Sequence, residues 1–306
     1  MRCVASVLGV SIATVWTAAA TAQNPQFKSG TAAVRVDALV TDGRRPVRGL
    51  TAANFELRDN GVRQTITDVH HETLPLNVIC ALDVSSSVAG EPLEDLKRGY
   101  VALIDALARE DRAALLTFAN RIALHSALTG DRARLRTLVG RLETGGTTSL
   151  FDAVFSALAL RETDEGRTLL ILLSDGRDTS SWLTARKLVA AARRTDVVVY
   201  PVTTQTPTRL LSFKSRAATP HEIPRRQESS ERFLEALADE TGGRVVNATD
   251  EAALAATFLK VLDEFRQRYV LTYTATGVPE RGWHTIEVKL RGQSGEVRAR
   301  RGYFAK

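Results

Sequence analysis

The sequence predicts an α/β protein in which a doubly wound, mainly parallel sheet is flanked along the chain by two β segments. Two apolar runs, at residues 78–82 and 168–173, are long enough for buried strands and too short to span a membrane. Further apolar strands alternate with stretches of helical periodicity, as in sheets whose two faces are both covered by helices. We therefore expect one open α/β domain over residues 74–268.

The amino-terminal flank, residues 23–73, shows the alternation of apolar and polar residues that predicts β-strands. Alternating stretches at 34–40 and 64–69 are separated by turn-forming clusters at 41–46 and 59–61. This pattern predicts a short β-meander, which is too small to fold alone with much margin.

Residues 74–268 carry the elements of the predicted α/β domain. The predicted strands are residues 78–82, 112–118, 122–128, 168–173, 197–202 and 244–247, of which the third can pair with the second as a hairpin. The predicted helices are residues 91–108, 131–142 with Asp131 as the cap, 150–160, 182–194, 231–241 and 251–268. Residues 205–230 are rich in Pro, Ser, Thr and Arg without periodicity, which predicts a long surface insertion.

The carboxyl-terminal flank, residues 269–306, returns to alternating strands at 269–274, 284–290 and 297–301. Neither flank has enough apolar surface for a core of its own. We therefore predict that residues 269–306 pack with residues 23–73 as one small β-sandwich.

The first 22 residues have the composition of a secretory signal peptide. Arg2 precedes an apolar run at residues 4–20, and Ala20-Thr21-Ala22 offers small residues for cleavage. The alternative is an uncleaved membrane anchor, but the run is short and rich in Ala, Ser and Thr, which favours cleavage. We expect a secreted or periplasmic protein with no membrane segment after cleavage.

Composition excludes several other classes of protein. The 306 residues are 44% hydrophobic and 25% charged, as in ordinary globular proteins, and the formal net charge is +6. No nucleic-acid-binding motif is present and exported proteins seldom meet nucleic acid, so we interpret the positive charge as a solvated surface. After signal cleavage Cys80 is the one remaining cysteine, so no intramolecular disulfide forms. Within an apolar strand it is expected to be a core residue and not a catalytic thiol.

Oxygen-bearing side chains follow two of the predicted strands and occupy one loop. Asp83, Ser85 and Ser87 come directly after strand 78–82, and Asp175 follows strand 168–173. Thr148 lies in the Gly-Gly-Thr-Thr loop at 145–148. Open α/β sheets bind ligands outside the carboxyl ends of their strands, and hydroxyl and carboxylate oxygens suit small hard cations.

These motifs, in this order and with these strand contexts, resemble the von Willebrand factor A (VWA) family and its metal-ion-dependent adhesion site (MIDAS). The resemblance covers residues 74–268 and is supported by the stretch at 237–243. It implies a site for Mg²⁺ or Mn²⁺ in which the two serines bind directly and the first aspartate acts through water. The threonine and the second aspartate come from the second and third loops. The implied metal ligands are Asp83, Ser85, Ser87, Thr148 and Asp175.

The resemblance leaves Thr147 open as an alternative to Thr148, and it extends to the flanks. The segments at 41–61 and 297–304 are similar to those of secreted bacterial VWFA-related proteins. In the family, an open coordination position on the cation takes an acidic side chain from a partner protein. The resemblance therefore implies a non-catalytic protein-binding or adhesion module, and it names neither the partner nor the oligomeric state.

Other interpretations of the same residues remain open. Asp83 and the serines can cap the helix that starts near residue 91, and Asp175 can be a turn residue. Asp152 and Asp178 lie near the expected site, where they can support its ligands or begin a helix. His70-His71-Glu72 is interpreted as a strand end and linker, because adjacent histidines do not share one helical face.

Two alternative functions differ in class from a cation-dependent binding module. One is a metal-independent structural or interaction protein of the cell envelope. The other is an exported serine hydrolase that uses Ser85 or Ser87 as its nucleophile. The hydrolase is disfavoured because the chain has no Gly-x-Ser-x-Gly elbow and no histidine placed by sequence to activate either serine. We predict that the protein is not an enzyme.

Overall fold

The computed structural model describes residues 33–43, 45–71, 74–162, 166–204, 222–248 and 253–305. The predicted signal peptide lies outside the described residues, as does most of the predicted insertion at 205–230. No helix in these ranges is both long enough and apolar enough to cross a membrane.

The described residues form fifteen strands and six α-helices. The strands are β1 (Ala33–Asp42), β2 (Arg45–Pro46), β3 (Phe55–Asp59), β4 (Val62–Gln64), β5 (Ile66–His71), β6 (Leu76–Asp83), β7 (Arg112–Phe118), β8 (Ile122–Thr129), β9 (Arg167–Leu173), β10 (Val198–Thr204), β11 (Val246–Ala248), β12 (Tyr269–Thr274), β13 (Gly282–Leu290), β14 (Glu296–Ala299) and β15 (Gly302–Ala305). The helices are α1 (Glu91–Asp105), α2 (Arg132–Gly140), α3 (Leu150–Ala159), α4 (Ala185–Ala192), α5 (Glu222–Thr241) and α6 (Ala253–Arg266).

The central sheet has six strands in the order β11-β10-β9-β6-β7-β8. All neighbouring strands are parallel except β8, which pairs antiparallel with β7. The sequence prediction of a mainly parallel α/β sheet and of the β7–β8 hairpin is therefore confirmed. In this order β6 and β9 are neighbours, and Leu82 pairs with Leu173 at their carboxyl ends.

Helices cover both faces of the central sheet. Because side chains along β6 point alternately to opposite sides, this strand contributes to both cores. Val78 and Cys80 belong to the core that packs against α1 and α6, whereas Ile79 and Ala81 belong to the core against α3, α4 and α5. Each fully buried aliphatic side chain of this kind contributes about 1.5–3 kcal/mol. Cys80 is fully buried, as predicted, and burial raises the pKa of its thiol.

Strands from the two ends of the chain pair with one another in two further sheets, here called the flank sheets. In the first, β1 pairs with β12 and β14, and β12 also pairs with β5. In the second, the strand order is β15-β13-β3-β4. The flank sheets share one apolar core, in which the rings of Phe55 and Tyr269 meet edge to face at 5.4 Å. Residues more than 200 positions apart thus become direct neighbours.

Buried ion pairs and hydrogen bonds join the central sheet to the flank sheets. Arg167 on β9 donates from Nε to Asp37 Oδ1 on β1 (2.8 Å) and from a terminal nitrogen to the carbonyl of Phe265 (2.9 Å). The guanidinium of Arg268, which is fully buried, donates to the Tyr200 hydroxyl and to the carbonyl oxygen of Asp37. Burial lowers the pKa of Arg167, and the charge of Asp37 opposes that shift.

Three helix boundaries differ from the sequence prediction by three residues or more, each for a local reason. Helix α1 ends at Asp105 and not at residue 108, because the Ala108 N–H donates to Asp111 Oδ2 (2.7 Å) and not to a carbonyl four residues back. Helix α4 begins at Ala185 and not at residue 182, because Thr184 has an extended backbone and its hydroxyl caps the helix by accepting the Lys187 N–H. Residues 222–230 are helical and not part of an irregular insertion, with Pro224 in the first turn of α5, where no backbone donor is needed.

The end of the chain also differs from the prediction, which placed one strand at 297–301. The structure has β14 and β15, separated by a bend at 300–301. A Cβ at Gly302 would lie 2.1 Å from the carbonyl oxygen of His284. The absence of a side chain at this position lets β15 pair closely with β13.

Candidate metal site

Three loops meet at the carboxyl edge of the central sheet. One follows β6, one precedes α3, and one follows β9. Because β6 and β9 are parallel neighbours in register, the residues that follow them leave the sheet side by side. The loops that carry Asp83, Ser85, Ser87, Thr148 and Asp175 therefore lie at the same edge of the sheet.

The first loop folds Asp83 back onto the serines. Oδ1 of Asp83 accepts a hydrogen bond from the Ser85 N–H (2.8 Å), which bends the chain as it leaves β6. A single 3₁₀ turn at Ser86–Val88 then brings the hydroxyls of Ser85 and Ser87 within 3.0 Å of each other. Asp83 and Ser85 are buried, whereas Ser87 is exposed at the rim.

The interpretation of Asp83 and the serines as helix caps is wrong. Helix α1 begins at Glu91, its N-cap residue is Gly90, and no side chain caps it. Asp83 bonds within its own loop, and the positive φ of Gly90 (85°) turns the chain into the helix.

The second loop is hydrogen-bonded directly to the first. The Gly145 N–H donates to the carbonyl of Val84 (2.9 Å), and the Gly146 carbonyl accepts bonds from both N–H and Oγ of Ser86 (3.2 Å each). Gly146 has φ of 82°, and a Cβ there would lie 2.4 Å from Oδ1 of Asn120. The positive φ of Gly146 and its contact with Asn120, in the turn between β7 and β8, both favour glycine at this position.

Thr148 and Thr147 occupy different environments on this second loop. Thr148 is 8% exposed, and its carbonyl accepts bonds from the N–H groups of Thr179 and Ser180 (2.9 and 3.1 Å). Thr147 is exposed, and its hydroxyl donates to Ser180 Oγ (3.2 Å). The geometry therefore favours Thr148 as the inward-facing residue of the pair.

The third loop begins with Asp175, which is exposed and whose Oδ1 accepts a bond from the Arg177 N–H (2.9 Å). The carboxylate thus closes a turn, as one interpretation of the sequence proposed, and its other oxygen lies 3.5 Å from Arg177 Nε. A turn of this kind leaves lone pairs on both carboxylate oxygens for a further ligand.

Asp152 and Asp178 tie the third loop to helix α3. Both oxygens of Asp152 accept backbone bonds, from Trp182 and Leu183 (2.9 Å each). Oδ1 of Asp178 accepts from the Ser181 hydroxyl (2.5 Å) and from the Phe151 N–H (3.3 Å). These aspartates position the loop, which is one of the two roles that the sequence left open for them.

The negative charge of Asp175 acts on the buried carboxylate of Asp83. Burial raises the pKa of Asp83, the hydrogen bonds from Ser85 lower it, and the negative charge of Asp175 raises it again. Asp83 and Asp175 are therefore close enough to repel, and a cation between them would remove that repulsion.

The donor set fits a small hard cation. Three hydroxyls and two carboxylates offer only oxygen, which Mg²⁺ and Mn²⁺ prefer, and give few formal charges. Within the described ranges, no group of three or more His, Cys, Asp or Glu side chains could hold a metal ion. A cation at this edge would therefore depend on Ser85, Ser87 and Thr148 as well as on the two aspartates.

Sequence reasoning did not identify several residues that shape the edge. Ser86, Asn120, Thr179 and Ser180 hold the three loops together through hydrogen bonds or close contact. The run Asp-Thr-Ser-Ser at 178–181 was the visible signal, since hydroxyls concentrated after a strand end are available to bridge neighbouring loops.

The contacts found for the described histidines are with residues other than Ser85 and Ser87. His125 Nε2 lies 2.8 Å from the Thr117 hydroxyl, and His284 Nδ1 lies 2.7 Å from Asp59 Oδ1. His70 and His71 end β5, as predicted, and the ring of His71 stacks on Tyr269 at 4.5 Å.

An open α/β sheet with oxygen-bearing side chains on three loops at its carboxyl edge is the arrangement of a Rossmann-like domain. The chain belongs to the von Willebrand factor type A domain family, whose model matches residues 77–260. Domains of this family bind a divalent cation at the MIDAS and are typically non-enzymatic modules that mediate protein interactions.

One curated relative and two solved structures illustrate the similarity. An uncharacterized protein of Synechocystis sp., sll0103, is 31% identical over 117 residues, covering 36% of this chain and 27% of that protein. The chain thus spans little more than a quarter of the length of the relative it matches.

The structural similarity concerns the fold alone, because identities are low. A von Willebrand factor type A protein from Catenulispora acidiphila superposes with a TM-score of 0.50 at 13% identity, covering 87% of this chain and 75% of that one. Proximal thread matrix protein 1 from the mussel byssus gives 0.52 at 15% identity, covering 69% and 50%. In that structure the MIDAS motif is occupied by zinc.

Proposed function

We propose that this protein is a secreted, non-catalytic binding or adhesion module that uses a divalent cation to engage an acidic side chain on a partner protein. The observation that carries the proposal is the pairing of the Ser85 and Ser87 hydroxyls at 3.0 Å beside the buried Asp83. The proposed ligands of the cation, Mg²⁺ or Mn²⁺, are Asp83, Ser85, Ser87, Thr148 and Asp175.

The chemistry of these ligands supports recognition of an acid. Bound here, the cation supplies an electrophilic centre, because hydroxyls neutralise little of its charge. The backbone N–H groups of Ser85 and Thr148 donate to the side chains of Asp83 and Thr179, which fixes both residues. Ser87 is exposed to solvent. The protein thus offers a preorganised, partly open set of oxygens to which a partner can add one carboxylate.

The relatives support the use of a metal at this edge. The mussel protein carries zinc in its MIDAS motif, and the family binds divalent cations there. We propose Mg²⁺ or Mn²⁺ for this chain because its donors are all oxygen, whereas zinc in proteins more often takes nitrogen and sulfur.

The remaining parts of the chain have supporting roles in the same proposal. Residues 1–22 are a signal peptide that directs the protein to the periplasm or the exterior. Residues 74–268 form the VWA domain, and residues 23–73 and 269–306 form a small β-sandwich from the two flank sheets. The shared apolar core and the pairing of β1 with β12 support that arrangement.

Calorimetric titration of Mg²⁺ and of Mn²⁺ into the mature protein tests the proposal. Wild type should bind at millimolar concentration or below, and an Asp83→Ala, Ser85→Ala double variant should not. The matched control is Glu94→Ala, Ser156→Ala, which removes one exposed carboxylate and one hydroxyl from helices outside the site. If wild type binds neither metal, the cation-dependent function is wrong, and a metal-independent interaction protein becomes the better interpretation.

A further inference from the structure

One large apolar side chain stands out at the carboxyl edge of the central sheet. Trp182 is 95% exposed, whereas the other exposed large hydrophobic residues in the described ranges are between 37% and 49% exposed. A tryptophan this exposed leaves a large apolar area in water, and tryptophan is enriched among the residues that dominate protein interfaces.

The backbone that carries Trp182 is firmly held. Its own N–H and that of Leu183 both donate to the carboxylate of Asp152, at 2.9 Å each. The preceding Ser181 donates its hydroxyl to Asp178 and accepts the N–H of Phe151 at 3.0 Å. The indole is thus presented from an ordered loop, which reduces the conformational entropy lost on binding.

This loop lies beside the proposed cation site. The carbonyl of Thr148 accepts the N–H groups of Thr179 and Ser180, and Asp152, which holds Trp182, is one helical turn further along. Thr148 lies two residues before α3, and Asp152 lies in the first turn of that helix. Trp182 is therefore attached within a short distance of Thr148, at the same edge of the sheet.

Three basic residues lie within five positions of Trp182 in the sequence. Arg177 in the same loop is exposed, and so are Arg186 and Lys187 in the first turn of α4. With a bound divalent cation these side chains bring five positive charges to the edge, and the carboxylates of Asp83, Asp152, Asp175 and Asp178 bring four negative ones, so the edge is slightly positive only when the metal is bound. The surface complements an acidic polypeptide better than an uncharged sugar or an apolar membrane.

We propose that Trp182 is the apolar anchor of the partner-binding surface. The occupant is a polypeptide segment with one carboxylate for the cation and, within a few residues, an apolar or aromatic side chain that packs on the indole. This inference rests on the proposed function, because it takes the cation as the first contact. It adds a sequence requirement for the partner that the metal alone does not impose.

An array of synthetic peptides tests the inference with the full chain. Each peptide contains one Asp, and an apolar, aromatic or polar residue is placed at successive distances from it. In millimolar Mg²⁺, wild type should bind the Asp-plus-apolar peptides about tenfold or more tightly than peptides with Asp alone. Trp182→Ala should remove that preference and keep the weaker Mg²⁺-dependent binding, whereas Trp182→Phe should retain part of it.

Two further measurements separate a contact from a change in folding. Phe304→Ala removes another partly exposed aromatic residue, on β15 in the flank sheets, and should leave peptide binding unchanged. In a Trp283→Phe variant of the mature chain, Trp182 is the remaining tryptophan, and its emission should shift to shorter wavelength when the peptide binds.

The outcomes distinguish this inference from the proposed function. If the protein binds Mg²⁺ but binds both peptide classes equally, or if Trp182→Ala does not change peptide binding, the role of Trp182 is wrong and the metal site is unaffected. Binding of uncharged glycans through Trp182, with no binding of any acidic peptide, also shows that the inference is wrong. Failure of the protein to bind Mg²⁺ at all overturns the proposed function itself, and the anchor with it.

Discussion

Nδ1 of His284 lies 2.7 Å from Oδ1 of Asp59, two buried side chains in a cluster that Tyr273 on β12 connects to the other flank sheet. The second oxygen of Asp59 accepts hydrogen bonds from the hydroxyls of Tyr273 (2.8 Å) and Tyr303 (2.9 Å). One carboxylate from the amino-terminal flank thus satisfies three polar groups from the carboxyl-terminal flank. Such a network is stabilising only while every member has its partner.

Asp59→Ala should therefore destabilise the protein strongly. It would leave the buried His284 and Tyr273 and the half-buried Tyr303 without their acceptor, at an expected loss of about 3 kcal/mol in the free energy of unfolding. Urea denaturation followed by circular dichroism measures this loss. Asp68→Ala, which breaks the exposed pair with His70, should cost less than about 1 kcal/mol. Equal losses for the two variants would contradict the role of the buried cluster.

The tyrosines of the cluster predict a dependence on alkaline pH. Burial raises the pKa of Tyr303 to about 12 and raises that of Tyr273 as well, from an ordinary value of 10.0. The folded protein keeps these phenols protonated at a pH where the unfolded chain loses the protons. The stabilisation is therefore complete below about pH 10 and is lost as the pH rises towards about 12.

Urea titrations between about pH 9 and about pH 12 test this dependence. The free energy of unfolding of wild type should fall across that range, and the fall should be shallower in Tyr303→Phe, which cannot titrate at this position. A slope that is the same in both proteins would show that Tyr303 does not contribute.

Asp37→Ala should cost more than the loss of an ordinary surface ion pair. Arg167, whose side chain is 2% exposed, would keep its charge in a buried site without a carboxylate, and the expected loss is about 3–5 kcal/mol. Glu162→Ala is the control, because its pair with Arg112 is exposed and should contribute less than about 1 kcal/mol. Thermal unfolding of both variants measures the difference, and similar melting temperatures would refute it.

Gly146→Ala should weaken cation binding without abolishing the fold. A Cβ at this position meets Asn120 and also strains a backbone held at φ of 82°, at a cost of about 1–2 kcal/mol. The loop that carries Thr148 would shift, and calorimetry should show a lower Mg²⁺ affinity. Adding Asn120→Gly should restore part of that affinity by removing the clash. Unchanged affinity in Gly146→Ala would show that the loop position is unimportant for the cation.

Asp83→Asn should stabilise the protein in the absence of metal. The amide keeps an oxygen for the Ser85 N–H and removes a buried charge that faces Asp175, for an expected gain of about 1 kcal/mol. Thermal unfolding in a chelator should show this gain. Added Mg²⁺ should raise the melting temperature of wild type and not that of the variant. A variant that is less stable than wild type in the chelator would contradict the expectation.

The central sheet could be predicted because two independent patterns indicate its strands. The strands are apolar runs, and stretches of helical periodicity lie between them. The positions of Asp83 and Asp175 at strand ends were predicted for the same reason, since each follows an apolar run long enough for a buried strand. Thr148 was less certain, because loops carry no periodicity to fix a register. Its separation from Thr147 came only from burial in the folded chain.

Other features depend on contacts that no local pattern contains. Asp59 and His284 are 225 residues apart, and the sequence around each residue does not indicate that it contacts the other. Trp182 lies in a stretch with helical composition, yet the extended backbone of Thr184 makes that residue the N-cap of α4 and leaves Trp182 in the loop before it. The bend before Gly302 follows from the approach of β15 to β13, which a pattern of alternation does not show.

The pairing of β1 with β12 has a consequence for the order in which the chain folds. Strands β6, β7 and β9 meet partners from nearby sequence, and their sheet can form while the chain is still incomplete. Strand β1 cannot pair with β12 until residues 269–274 have been synthesised, and β3 cannot pair with β13 until residues 282–290 have been synthesised. Closing so long a loop is slow, and newly emerged strands with no neighbour are prone to aggregate. A chain stopped before Tyr269 would keep the proposed metal ligands and leave β1 and β3 without their carboxyl-terminal partner strands, as edges open to aggregation.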